Sequence, residues 1–203
     1  MKEIIRSILQ READAILNLP VTDDYEKAVS LIVEQVHHKG GKLVISGMGK
    51  AGQIGMNIAT TFCSTGTPSI FLHPSEAQHG DLGVIQKNDV MLLISNSGKT
   101  REIIELTTLA HRLNPDIRFI VITGNKESDL AREADICLYT GNPAEVCPLG
   151  LTPTTSTTMM TVIGDLLVVN TMRQIKFDNE QYAKRHHGGY LGEKSRKQSQ
   201  VEK

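Results

Sequence analysis

The chain has 203 residues, with 22 Lys plus Arg against 23 Asp plus Glu, a formal charge of −1. This length suits one α/β domain that buries roughly 70% of its unfolded surface, and the balanced charge argues against nucleic acid or an anionic membrane as a partner. Cys63, Cys137 and Cys147 are odd in number and lack C-x-x-C spacing, which disfavours a disulfide framework or a Cys-based zinc site and leaves three small core hydrophobes in a reducing compartment.

At the amino end, charges interrupt what would be the apolar part of a signal peptide, and no run approaches the ~20 apolar residues of a membrane span. A cytoplasmic location is expected. Residues 3–18 place Ile4, Ile5, Ile8, Leu9 and Ile16 near a 3.6-residue period, and 22–36 repeat it after Thr22-Asp23, so two opening helices are predicted. His37 and His38 extend the second. The runs "KLVIS" (42–46), "SIFLH" (69–73), "VMLLIS" (90–95), "FIVITG" (119–124) and "ICLYT" (136–140) then alternate with helical stretches. This βαβ rhythm predicts an α/β fold, a three-layer sandwich with a five-stranded parallel sheet flanked by helices. Residues 155–176 are predicted to form a long, mostly apolar helix. A single domain is expected over 1–186, with N-terminal helices at 1–40, sheet and helices at 41–176, a C-terminal segment at 177–192 and a disordered polar tail at 193–203.

Ligands bind such a sheet where strands hand over to helices at their carboxyl ends. "SGMGKAG" (46–52) sits at the first such place, with Gly47, Gly49 and Gly52 spaced as G-x-G-x-x-G. A dinucleotide site also needs an acidic residue at the end of the second strand. Here that strand ends in His73-Pro74, and a Walker loop fails because Ala51 follows Lys50. "SNSGKTRE" (95–102) is more informative. Ser95, Asn96, Ser97, Gly98 and Thr100 group short donors around a tight turn at a helix start, a nest for one phosphate dianion. Ordinary capping by Ser95 or Ser97, with Glu102 in the first turn, is the bland alternative and explains one hydroxyl. "TPTTSTT" (152–158), with Thr155, Ser156 and Thr157, opens the long helix and borders the same pocket, or merely caps that helix.

These stretches resemble the sugar isomerase (SIS) domain, which has a flavodoxin-like, Rossmann-like fold and binds phosphosugars. "GMGKAG", "STGTPS" (64–69), "HPSEAQHGDLG" (73–83), "SNSGKTREI", "ITG" (122–124), "EVCPLGLTPTTSTT" (145–158) and "HHGGYLG" (186–192) narrow the resemblance to the D-arabinose 5-phosphate isomerases, over about residues 45–192. The resemblance implies an aldose–ketose isomerase that interconverts D-arabinose 5-phosphate and D-ribulose 5-phosphate and supplies 3-deoxy-D-manno-octulosonate for lipopolysaccharide. It also implies a homo-oligomer, a tetramer in which His186 reaches a neighbouring subunit's pocket.

Enediol chemistry needs a base, a second proton handler and stabilisation of negative charge, and no redox cofactor. The resemblance carries over Lys50, Glu102, Glu145 and His186 as catalytic residues, and Gly49, His79, Ser95, Asn96, Ser97, Gly98, Thr100, Thr155, Ser156 and Thr157 as substrate-binding. Glu145 is the expected carbon base because its Pro- and Gly-rich loop would desolvate the carboxylate and raise its basicity, with Glu102 as its rival. The family's H-P-G-G reads "HHGG" here, with His187 in place of proline, which puts in doubt which imidazole enters the site. The commoner members continue into paired CBS modules, so any inhibition by a downstream sugar is expected at the active site itself. His73, His79, His186 and His187 lack Cys or Asp at ligand spacing, and no metal is expected. A non-catalytic sugar-phosphate sensor and an isomerase of another ketose phosphate remain as alternatives.

Overall fold

The computed structural model describes the backbone of residues 1–201 and the side chains of 1–196 and 198; Glu202 and Lys203 of the predicted tail lie outside the described residues. Five strands, β1 (Leu43–Gly47), β2 (Ser69–Phe71), β3 (Val90–Ile94), β4 (Arg118–Thr123) and β5 (Ile136–Tyr139), form a sheet in the order β2-β1-β3-β4-β5. Every neighbouring pair is parallel. All residues of β1 and β3 are buried, as continuous apolar runs require of strands covered on both faces.

Alternate residues of each strand feed two cores. Leu43, Ile45, Leu92, Ile94, Ile120 and Ile122 pack with α2 (Asp24–Ile32), α3 (Lys50–Ser64) and α7 (Thr155–Gln174). Met91, Leu93, Phe119 and Val121 pack with α4 (Pro74–Ala77), α5 (Arg101–Leu113) and α6 (Asp129–Glu133) on the other face. At ~1.5–3 kcal/mol per fully buried large apolar side chain, these two layers dominate stability. The glycines of "GMGKAG" set how closely α3 meets β1. A Cβ at Gly52 would lie 2.7 Å from the Gly47 carbonyl oxygen, and one at Gly47 2.8 Å from that of Ala51.

The amino edge of the sheet is tied by Asp89, whose side chain is fully buried. It accepts hydrogen bonds from the Lys42 and Gln86 amides, each at 2.8 Å, and from Lys42 Nζ at 2.7 Å. A buried carboxylate with three donors, one cationic, joins the starts of β1 and β3.

Three expectations need correction, and one predicted helix forms without a core to face. The first helix, α1 (Lys2–Leu17), has no buried residue, and Ile4 and Leu9 are 61% and 63% exposed; its apolar stripe does not face this chain's core. The second helix passes into a π-helical turn, Val33–His38, so His37 and His38 leave α geometry. The tail is not disordered across its described part, since α8 (Asn179–Arg185) is followed by α9 (Gly189–Val201). Glu, Lys, Arg and Gln are good helix formers, and the buried Ser195 donates to the Asn179 carbonyl at 2.7 Å. Finally, no cysteine is core: Cys63 is exposed and Cys137 and Cys147 are half-buried.

Asp89→Ala strips the buried acceptor from two backbone amides and an ammonium. The expected loss is about 3–5 kcal/mol of unfolding free energy, read as a lower urea midpoint with unchanged slope.

Candidate active site

The strand order reverses between β1 and β3, so the chain leaves their carboxyl ends toward opposite faces of the sheet and opens a crevice there. The structure holds a cleft of about 1060 Å³ at this edge. A hollow of about 560 Å³ lies at the other edge, lined by residues such as Lys87, Asn114 and Arg118, where strands begin and no helix N-terminus points in.

The loop after β3 forms one wall. Gly98 takes φ +62°, and a Cβ there would collide with the Ser128 side chain, so only glycine fits. Ser95 Oγ and Thr100 Oγ1 are 2.9 Å apart, and Ser97 Oγ accepts from the Lys99 amide at 3.1 Å. Thr100 is the N-cap of α5, yet no side chain caps the helix. The capping alternative therefore fails. The amide donors at the start of α5 remain for an anion, favoured by the positive end of the helix dipole. Ser95, Asn96, Ser97 and Thr100 line the cleft.

The opposite wall is the segment between β5 and α7. Glu145 Oε2 accepts from the Thr154 amide at 2.7 Å, Thr154 Oγ1 at 2.8 Å and the Ser156 amide at 3.3 Å. The carboxylate thus caps α7 from outside the helix. Burial pushes its pKa up, but hydrogen bonds from Ser156 and Thr154 outweigh that and hold it below the ordinary glutamate value. The expectation of raised basicity is corrected on this ground. Oε1 has no hydrogen bond among the described residues, and Glu145 lines the cleft with Lys50, Ser156 and Thr157. Lys50 opens α3, is exposed, and pairs with no carboxylate among the described residues.

Other expected residues are not part of the cleft lining. Glu102 and the exposed His79 do not line the cleft, nor do the backbone positions Gly49 and Gly98. Thr155 is buried, and its hydroxyl is already engaged by Glu12 Oε1 at 2.8 Å and the Val146 amide at 3.2 Å. His186 ends α8, stacks on Tyr182 with ring centroids 3.8 Å apart, and bonds the Tyr182 carbonyl through Nδ1 at 3.0 Å. It too lies outside this cleft. His73 caps α4 by accepting from the Ser75 amide at 3.3 Å, and among the described residues no group of three or more His, Cys, Asp or Glu side chains converges. Conversely, Asn125, Lys126, Glu127, Tyr139 and Asn142 line the cleft. They follow or end β4 and β5, and a parallel sheet brings all its carboxyl ends to one edge.

Cys147 lies in the same segment. Its Sγ accepts from the Leu151 and Thr152 amides at 3.3 and 3.2 Å, and the bond from Thr152 leads in pulling the thiol pKa down to about 7. Burial raises that of Cys137. At pH 7 Cys147 therefore carries more thiolate, the reactive form, than a cysteine at its ordinary pKa. Iodoacetamide at pH 7, read by peptide mass spectrometry, is expected to label Cys147 well ahead of Cys63 and Cys137.

Residues 35–170 match the SIS domain. The arabinose 5-phosphate isomerase KdsD of Yersinia pestis is 45% identical over 186 residues, 92% of this chain and 55% of that protein. The chain thus spans about half the length of the curated relatives it matches. Among solved structures, a candidate phosphosugar isomerase involved in capsule formation from Bacteroides fragilis is 74% identical with a TM-score of 0.93, covering 94% of this chain and 99% of that one. A protein of Escherichia coli CFT073 solved in complex with arabinose 5-phosphate is 33% identical with a TM-score of 0.81, covering 89% and 94%.

Proposed function

Since the chain belongs to the SIS domain family, we propose that it is an aldose–ketose isomerase interconverting D-arabinose 5-phosphate and D-ribulose 5-phosphate through an enediol. In this reading it supplies 3-deoxy-D-manno-octulosonate for lipopolysaccharide from the cytoplasm. One observation carries the proposal. The uncapped start of α5, set among Ser95, Ser97 and Thr100, shares a cleft with Lys50 and the Glu145 carboxylate, and among the described residues neither the Lys50 ammonium nor Glu145 Oε1 has a partner. The names of the relatives supply the sugar.

The phosphate docks at the start of α5. Glu145 Oε1 takes the proton from C2 of the aldose and returns it to C1, while the hydroxyl proton moves from O2 to O1. Atoms balance without a redox cofactor. Lys50 stabilises the enediolate oxygen. Substrate over Oε1 excludes water from the carboxylate and raises its basicity during turnover. Glu102, outside the cleft lining, is the weaker choice of base.

The proposal also makes the protein a homo-oligomer, a tetramer with His186 serving a neighbouring cleft as ring opener or hydroxyl proton shuttle. Support comes from the exposed stripe of α1 and from the position of His186 outside its own chain's cleft. Leu9→Glu on that stripe is expected to shift the light-scattering mass to a smaller species and to reduce turnover.

The direct test is incubation with D-arabinose 5-phosphate in D2O followed by proton NMR. Ribulose 5-phosphate carrying deuterium at C1 is expected. Glu145→Gln keeps an acceptor for the α7 cap, and is expected to lose at least about 100-fold in kcat with substrate binding retained. Binding without product or label would move the reading to another sugar phosphate or a sensor.

A further inference from the structure

Two side chains that play no part in the cleft lining hold the segment that carries Glu145. Arg11 Nη2 donates to the Glu145 carbonyl at 2.7 Å. One residue on, Glu12 Oε1 accepts from Thr155 Oγ1 at 2.8 Å, and Thr155 Oγ1 in turn accepts from the Val146 amide at 3.2 Å. Both come from α1, a helix with no buried residue of its own. We infer that Arg11 and Glu12 are positioning residues that fix the Glu145 segment against the start of α7, an inference that rests on the role proposed for Glu145.

The donor and acceptor order makes the case. A hydroxyl has one proton and can give it to only one partner. A carboxylate at position 12 accepts only, so it draws the Thr155 proton toward itself and turns a lone pair to the Val146 amide. That amide also meets Thr154 Oγ1 at 3.2 Å, and the Thr154 hydroxyl proton goes to Glu145 Oε2. Each hydroxyl therefore has a fixed direction, and the chain Glu12, Thr155, Val146, Thr154, Glu145 runs unbroken from α1 to the cleft. Glu12 Oε2 is buried with no hydrogen-bond partner among the described residues. A contact serving stability alone gains nothing from that second, unsatisfied oxygen. The charge on Glu12 instead sets hydroxyl polarity, and Arg11 fixes the main chain on the other side of Glu145.

The test uses the full chain with D-arabinose 5-phosphate. Glu12→Ala and Thr155→Val are each expected to lower kcat at least about tenfold with KM within about threefold. Thr155→Ser, which keeps the hydroxyl, restores most of it. The exposed Arg11 permits Arg11→Ala with an unchanged melting temperature and a smaller fall in kcat. Added to Glu145→Gln, Glu12→Ala has no further effect, because both act on one group. Cys147 reports on the same segment without any turnover. Its alkylation rate at pH 7 is expected to change at least about twofold in Glu12→Ala and to stay unchanged in Glu3→Ala. If the wild type turns over no sugar phosphate, the isomerase reading falls while the Cys147 rates still judge the positioning. Wild-type kcat and Cys147 reactivity in both Glu12→Ala and Thr155→Val would overturn it, as would a melting temperature that falls with kcat unchanged.

Discussion

Parallel strands all end at the same edge, and helices packed on both faces force the chain to leave β1 and β3 in opposite directions. The crevice between the two departures cannot be filled by either connection. Donors at the start of α5 and the cation at the start of α3 therefore meet there without any side chain reaching far. Gly47 and Gly52 bring α3 down on β1, and Gly98 lets the loop after β3 turn against Ser128. In each case the missing Cβ makes the geometry.

Electrostatics then divides the two walls. On the α5 side, amide donors lack a cap and invite an anion. On the α7 side, the same need is already met by Glu145. An anion is favoured at one helix start because a carboxylate already occupies the other. The same donors hold that carboxylate below the ordinary glutamate pKa, so Oε2 caps α7 while Oε1 is without a hydrogen bond among the described residues.

Much of this was legible in the chain. Continuous apolar runs placed all five strands, and the hydroxyls of "SNSGKTRE" marked one wall of the cleft. What periodicity could not say was what an apolar stripe faces: Ile4 and Leu9 keep helical spacing yet meet no core of this chain. Composition misread the described part of the tail, because a segment too polar to build a core can still form a helix through propensity and one buried serine. Glu102, His79 and Thr155 came from the resemblance; none of them lines this chain's cleft, and the Thr155 hydroxyl is engaged by Glu12 and the Val146 amide. The positioning pair Arg11 and Glu12 lies 134 and 143 residues from its targets, beyond the reach of any local pattern.

Asp89 and Lys42 sit at the opposite edge of the sheet from the cleft. Among the described residues, the most buried ion pair thus lies where strands begin, and Lys50, in no ion pair, lies where they end. Stability and chemistry are in large part separate properties of the two rims of one sheet. The loops after β4 and β5, which line the cleft, can be rewritten while the Asp89 tie and both apolar layers remain intact. Glu145 is the place where that freedom stops, because one side chain both lines the cleft and caps α7.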